Sequence, residues 1–468
     1  MSVSLHWFRR DLRLNDNAAL SSAVTSSKTV YGVYCAQTSQ QLNPRQRRFT
    51  TAALQSFKLA LGKADASLSM LAGDPAVALE AAAKRLGATR VFCARAFDRT
   101  ELDLERDVRA HLNAAGIELR SLGGGVVHEP EAIAQRKQAP GTGYRVFPPF
   151  YQAWKATPVE RSLPTALPTG RDPDPGPIEE QAPARDMPEP SEAAALGALA
   201  RFVSARVADY STNAEYPGRV GTSDLAAYLR FGLLSPRTVF HAVAEKMART
   251  WTLAQERLSM SAFLRRLALR DFFIHLAYFA PEVYDEPLQT KMRGFEWSHD
   301  ERMIKAWTSG KTGYPLVDAA MRQLCMYGHV HQRGAVVAAS FCTADLGLDW
   351  GIGRDLWMRE LLEADEALCV GNWQRIAGIG SDQAAYPRIY NPVRQAQLFD
   401  AQAMYVRKYC RELAKLPTAA ALAPWAIGAS QQTELGFFTP EQYPRPIVDH
   451  EQAAREFLSK YQAYRHRS

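Results

Sequence analysis

Cysteine is scarce and scattered in this chain. The six thiols, at positions 35, 93, 325, 342, 369 and 410, form no CxxC pair. That spacing excludes the common zinc-finger arrangements and a disulfide framework. Isolated thiols read instead as small buried apolar residues in a reducing compartment, and a cytoplasmic location is expected. Long apolar runs are missing too, since no stretch approaches the roughly 18 residues of a membrane span. The N-terminal MSVSLHWFRRDLRL has no apolar core followed by a cleavage site, so no secretory signal is expected. No block of consecutive Lys or Arg marks a nucleic-acid tail. No GxGxxG follows the first β-like run, which argues against a dinucleotide fingerprint there. No internal repeat is evident, so solenoid and propeller architectures are excluded.

What is present is an ordinary globular composition. The 468 residues are 47% apolar and 22% charged, enough for two or three domains with ample core. Lys and Arg number 56 against 49 Asp and Glu, a net charge of +7. A basic balance suits a polyanion, and nucleic acid is the natural candidate. Residues 1–125 alternate β-like runs at 3–8, 29–35, 89–94 and 117–122 with helical stretches at 45–63, 74–86 and 101–114. Such alternation predicts a doubly wound parallel α/β sheet. Nine prolines between Thr157 and Pro190 predict an irregular linker. From about Ser191 onward, apolar residues recur at helical spacing in DLAAYLRFG, SAFLRRLALRDFFIHLAYF and LVDAAMRQLCMYG. The expected organisation is therefore an α/β domain at 1–130, a Pro-rich linker at 131–195 and an all-α domain at 196–468.

Two segments carry more than pattern. WTSGKTGYPLVDAAMRQL at 307–324 reads by periodicity alone as a turn followed by an amphipathic helix. It resembles the flavin-domain signature of the photolyase and cryptochrome family. WFRRDLRLNDNAAL at 7–20 resembles the opening of that family's N-terminal domain, and FPPFYQAWK at 147–155 the segment that closes it. The resemblance runs on to FDAQAMYVRKY at 399–409. It implies a helical FAD-binding domain and an antenna chromophore, folate or deazaflavin, in the N-terminal domain. Glu101 falls near a place where a folate contact is expected.

The segment YSTNAEYPGRVGTSDLAAYLRFGLLSPR, 210–237, resembles the part of the family that grips the FAD phosphates. Its own residues support this reading: Gly221 permits a tight turn, and Thr222 and Ser223 offer hydroxyls before a helix N-terminus that favours anions. Taken alone, GTSD reads more simply as an ordinary capped helix. The resemblance implies FAD contacts at Tyr210, Thr222, Ser223, Leu225, Phe263, Arg270, Gln332, Asp365 and Cys369. It implies an electron relay through Trp373, Trp350 and Trp297, which sit in GNWQ, GLDW and FEW. Any one Trp in isolation is more simply a packing residue. Arg266, Arg333, Arg375 and Arg388 are expected at a DNA-facing surface, contacting phosphate rather than reading sequence. Cys369 counts among both the catalytic and the cofactor-binding candidates.

The chain departs from the family where a pyrimidine-dimer photolyase would grip its lesion. The positions expected to hold a glutamate, two tryptophans and a methionine hold Arg266, Leu269, Arg375 and Val336. An asparagine expected beside the flavin is Cys369, and one expected before Arg333 is Gln332. The arginine two beyond Arg333 is Ala335. Leu269 stacks less well than an indole, and two arginines bring fixed positive charge. His331 reads either as a pocket histidine or as a structural one. Two functions follow. One is an FAD-dependent photolyase, a monomer acting on damaged or single-stranded DNA; the other is a cryptochrome-type blue-light receptor without repair.

Overall fold

Five short runs rich in β-branched, aromatic and aliphatic residues pair into one sheet in the computed structural model. They are β1 (Val3–Phe8), β2 (Thr29–Cys35), β3 (Leu68–Leu71), β4 (Arg90–Ala94) and β5 (Glu118–Leu122). The structure describes residues 2–39, 42–137, 141–178, 187–249, 251–381, 386–437 and 441–467. Strand order is β3-β2-β1-β4-β5, and every pairing is parallel. A parallel sheet flanked by helices needs apolar residues on both faces of its central strands. Leu5, Trp7, Val33, Val91 and Cys93 are accordingly inaccessible to solvent.

The crossovers are α1 (Ala18–Ser26), α2 (Pro44–Lys63), α3 (Pro75–Leu86) and α4 (Arg99–Ala114). Their starts follow capping chemistry: Asn17, Asn43, Asp74 and Asp98 each accept a first-turn amide through the side chain. The four expected strands and three expected helices all form. The strand β3 and the helix α1 were not foreseen. A four-residue strand is too short to show a period, and the Ala- and Ser-rich AALSSAVTS lacks a broad apolar face.

The opening motif explains itself here. Asp11 is buried and accepts from the Arg9 amide at 2.8 Å and the Asn17 amide group at 3.0 Å, with His6 Nε2 at 3.1 Å. Asp16, also buried, pairs with Arg237 at 2.7 Å. At Gly232, φ is +68° and a Cβ would lie 1.8 Å from the Arg10 carbonyl oxygen, so only glycine fits. The Pro-rich stretch is irregular, as expected, but it is tied down. Thr169 and Gly170 donate backbone N–H bonds to Val30, and Met70 donates to Pro175 at 2.6 Å, closing the exposed edge of β3. Arg85 forks onto Asp172 at 2.7 Å and holds its carboxyl down at about 2.

The rest of the described chain is helical. The elements used below are α5 (Ala254–Phe279), α6 (Pro315–Tyr327), α7 (Gln332–Ser340), α8 (Trp350–Glu360), α9 (Glu366–Ile376), α10 (Pro392–Phe399), α11 (Met404–Tyr409) and α12 (His450–Arg467). Two compact units result. One comprises 1–144, 148–209 and 223–281; the other comprises 145–147, 210–222 and 282–468. The sheet unit therefore includes α5, which the sequence assigned to the helical half. The C-terminal half of α5 is buried almost all round, with Phe272 and Phe273 at 1% exposure or less. A helix with no solvent face shows no amphipathic stripe to place it by sequence.

Candidate cofactor site and aromatic path

In the helical unit, α9 carries the candidate cofactor residues in one line. Asp365 caps the helix, its carboxylate accepting from the Leu368 amide at 3.4 Å. Cys369 and Trp373 follow at four-residue spacing, which places all three on one face. Their exposures are 5, 6 and 2%, so a carboxylate, a thiol and an indole form a buried stripe. A buried carboxylate on such a stripe is an acceptor for ring N–H groups of a heteroaromatic ligand.

The three indoles expected to act in series lie on connected elements. The ring of Trp373 covers Gly353 of α8, where an added Cβ would meet it at 2.0–2.5 Å. Trp350 is the first residue of that same helix, which Asp349 caps by accepting from Gly351 at 2.7 Å. The Asp349 amide donates to the Ser298 carbonyl at 3.1 Å, and the Ser298 amide donates to Gly347 at 2.7 Å. Trp350 and Trp297 each sit one residue from this backbone bridge. Trp297 is partly exposed and stacks on Phe457 of α12, with ring centroids 6.0 Å apart.

Two further indoles complete a cluster that sequence reasoning missed. Trp307 and Trp357 stack at 5.9 Å with a 12° tilt, and both meet Trp373 edge-on, at 6.1 and 5.1 Å. Trp307 opens the signature segment, whose specificity is now physical. Asp318 is buried and accepts from Thr312 N at 2.8 Å, Thr312 Oγ1 at 2.6 Å and Gly313 N at 3.2 Å. Gly313 has φ of +84°, and a Cβ there would lie 2.4 Å from the Arg445 backbone. The motif is thus a buried turn that presents Trp307, whose Nε1 donates to Ala338 at 3.1 Å. Trp357 stands in unremarkable helical text, and only the fold brings it in.

The segment before α5 differs from its expected form. Gly221 has no unusual φ; a Cβ there would fall 2.5 Å from the Asn213 backbone, so the glycine serves close approach rather than turn geometry. Thr222 and Ser223 are partly buried, and Tyr210 opens a four-residue helix. The helix after them runs only from Ala226 to Arg230 and starts at Leu225, with no side-chain cap. A helix of five residues offers little dipole to an anion. Gln332 is exposed at the start of α7. His331 caps that helix, its Nδ1 accepting from the Arg333 amide at 3.2 Å, and burial pushes its pKa down to about 4. Burial thus favours its neutral form.

In the sheet unit, Leu225 and Phe263 are buried, Phe263 against Phe202 at 4.7 Å. Arg270 donates to the Gly125 carbonyl and lies 3.5 Å from Asp271. Burial raises Asp271 to about 6, even though it accepts from Val127 N and Trp154 Nε1. Arg266 is partly buried. Glu101 pairs with Arg9 at 3.5 Å and borders a cavity of about 40 Å³.

Among the arginines of the helical unit, Arg388 is exposed, and its backbone carbonyl accepts from Ser340 Oγ at 3.5 Å. Arg375 is partly buried near the end of α9. Arg333 is engaged internally, with Glu215 and with Gln395 at 3.0 Å. Among the described residues, no group of three His, Cys, Asp or Glu could hold a metal, and no helix is long and apolar enough to cross a membrane.

A parallel five-stranded α/β unit, a helical unit and a carboxylate–thiol–indole stripe beside an aromatic cluster fit the resemblance that the sequence carries. Comparison with known proteins agrees. Residues 4–170 match the family model for DNA photolyase, and 263–463 match that for the FAD binding domain of DNA photolyase. A deoxyribodipyrimidine photo-lyase of Agrobacterium fabrum is 32% identical, over 98% of this chain and 97% of its own. The structure of a bacterial class III photolyase from Agrobacterium tumefaciens superposes with a TM-score of 0.87 at 30% identity, covering 100% of this chain and 98% of that one. A Synechocystis cryptochrome superposes with a TM-score of 0.83 at 27% identity, covering 99% of both chains. The chain belongs to the photolyase and cryptochrome family.

Proposed function

We propose that this protein is an FAD-dependent DNA photolyase that uses blue light to split pyrimidine dimers. The observation that carries the reading is the α9 stripe, Asp365–Cys369–Trp373, with Trp373 laid against the helix that begins at Trp350. Bound FAD would supply the light-driven electron that a dimer needs in order to cleave. Asp365 would accept from the N–H edge of the ring, and Cys369 would face it one turn later. Tyr210, Thr222, Ser223, Leu225, Phe263 and Arg270 would hold the rest of the cofactor. Trp373, Trp350 and Trp297 would pass an electron inward from solvent, since short hops between buried indoles beat one long transfer. Arg266, Arg375 and Arg388 would contact phosphate, giving affinity rather than sequence preference. This reading has the chain acting as a monomer, in the cytoplasm, on damaged or single-stranded DNA.

The test is direct. The purified, photoreduced protein should restore a dimer-containing oligonucleotide under blue light and bind it in preference to the undamaged strand. If neither occurs while the protein retains FAD, the repair reading is wrong. The second reading, a photoreceptor without repair, is favoured by Arg266, Leu269, Arg375 and Val336 standing where aromatic and acidic lesion contacts are expected. Under that reading Trp373 would still pass an electron to bound FAD, but damaged DNA would be left intact.

A further inference from the structure

Arg333 is surrounded by its own protein. Its Nη2 donates to Glu215, its Nη1 donates to Gln395 Oε1 at 3.0 Å, and its guanidinium carbon lies 3.8 Å above the ring of Phe399. Only 16% of the side chain is exposed. Tyr216 approaches Phe399 at 5.7 Å, and Arg219 lies 4.2 Å over the ring of Tyr216. The four side chains form a ladder, Arg219–Tyr216–Phe399–Arg333, with two rings in contact between two cations. The ladder fastens residues 213–221 onto α10. Gly218 adds to the contact, since a Cβ there would lie 3.0 Å from Met404 of α11. Arg219 Nη1 also donates to Asn213 Oδ1 at 3.1 Å, holding the segment to itself.

We propose that Arg333 is a positioning residue for the segment 210–222, and not a contact to DNA phosphate. The inference rests on the reading that Tyr210 and Thr222 in that segment hold FAD. Both Nη groups already donate internally, to Glu215 and Gln395, and Nε is buried, so turning the guanidinium toward a phosphate would mean displacing Glu215. Releasing it would cut the tie between the cofactor segment and α10. Glu215, Phe399 and Gln395 become positioning residues by the same argument. Cofactor retention and the placement of α10, which follows directly on the Arg388 segment, depend on one side chain.

The test uses the FAD-loaded protein and two measurements: the rate of FAD release, read as the rise in free-flavin fluorescence, and the salt dependence of binding to undamaged duplex DNA. E215Q and R333M should each speed FAD release about tenfold or more and leave the salt slope unchanged. The exchange variant E215R/R333E should bring release back to within about threefold of the unaltered protein. If R333M lowers the salt slope by about one and leaves FAD release unchanged, Arg333 is a phosphate contact and the proposal is wrong. If the exchange variant releases FAD as fast as R333M, the pairing with Glu215 is not what matters, which also overturns it. T222A separates the two layers. Release at the unaltered rate in T222A removes the segment from the cofactor site, and the proposal falls with it. Faster release in T222A, with E215Q and R333M unaffected, sinks the positioning role alone.

Discussion

In the sheet unit, the buried charges around β1 are spent on one another. Asp11 meets His6, the Arg9 amide and Asn17, and Asp16 meets Arg237. In the helical unit, α9 and its neighbours bury indoles instead: Trp373 against Gly353, and Trp307 and Trp357 edge-on to Trp373. The difference separates two uses of an interior. A polar network of this kind fixes the backbone, because its groups hydrogen-bond one another. Neighbouring aromatic rings fix less but can hand an electron on. The segments that make the chain recognisable, 7–20 and 307–324, are mostly of the first kind. The proposed chemistry lies in the second.

The sharpest way to break this contrast is to remove one member from each interior. D11A should cost about 3–5 kcal/mol in denaturant unfolding, since it strands His6, Asn17 and the Arg9 amide without their acceptor. C369A removes a small, soft side chain and should cost no more than about 1.5 kcal/mol. Equal costs would show that the α9 stripe is as structural as the β1 network. Acid gives the next largest effect. Burial pushes His128 and His275 in the sheet unit down to about 4 from 6.5. A folded histidine that resists protonation costs stability as pH falls from 6.5 to 4, at most about 3 kcal/mol each. Asp271, raised from 3.8 to about 6, works the other way, because the folded form takes its proton first and gains as pH falls through 6. His331 of the helical unit, also pushed down to about 4, adds to the loss, so stability should fall between pH 6.5 and 4, with H275Q flattening part of the fall. Denaturation followed at several pH values checks this; an unchanged slope in H275Q removes the histidine from the account.

How much of this was legible beforehand depends on the range of the signal. The strands at 3–8 and 29–35 and the helices α2 and α3 rest on local signals, with the caps Asn43 and Asp74 at the helix starts. Asp365, Cys369 and Trp373 were legible only through the family resemblance of the motifs around them, and their four-residue spacing puts them on one face of α9. Trp357 was not, since its meeting with Trp373 depends on how α8 and α9 pack. The internal role of Arg333 was hidden for the same reason: Glu215 lies 118 residues away in the chain. Short motifs also misled where context changed their form. GTSD read as a helix N-terminus, yet the helix begins only at Ala226 and ends at Arg230.

Smaller substitutions sharpen the picture further. G353A places a methyl where the Trp373 ring lies, and should cost about 1–3 kcal/mol through overpacking, with a shift in tryptophan fluorescence. An unshifted spectrum would mean that the ring is free to move away and that its contact with α8 is loose. The smallest expected effect is at Arg388. Arg388 is exposed, whereas Arg333 is largely buried against Glu215 and Gln395. R388A should weaken binding to any DNA sequence by roughly 1 kcal/mol and reduce the salt slope by about one. Phosphate contacts add affinity without regard to base, so damaged and undamaged strands should lose equally. A loss confined to the damaged strand would place Arg388 at the lesion rather than at the backbone, and the arginines of this surface would then have to be divided differently.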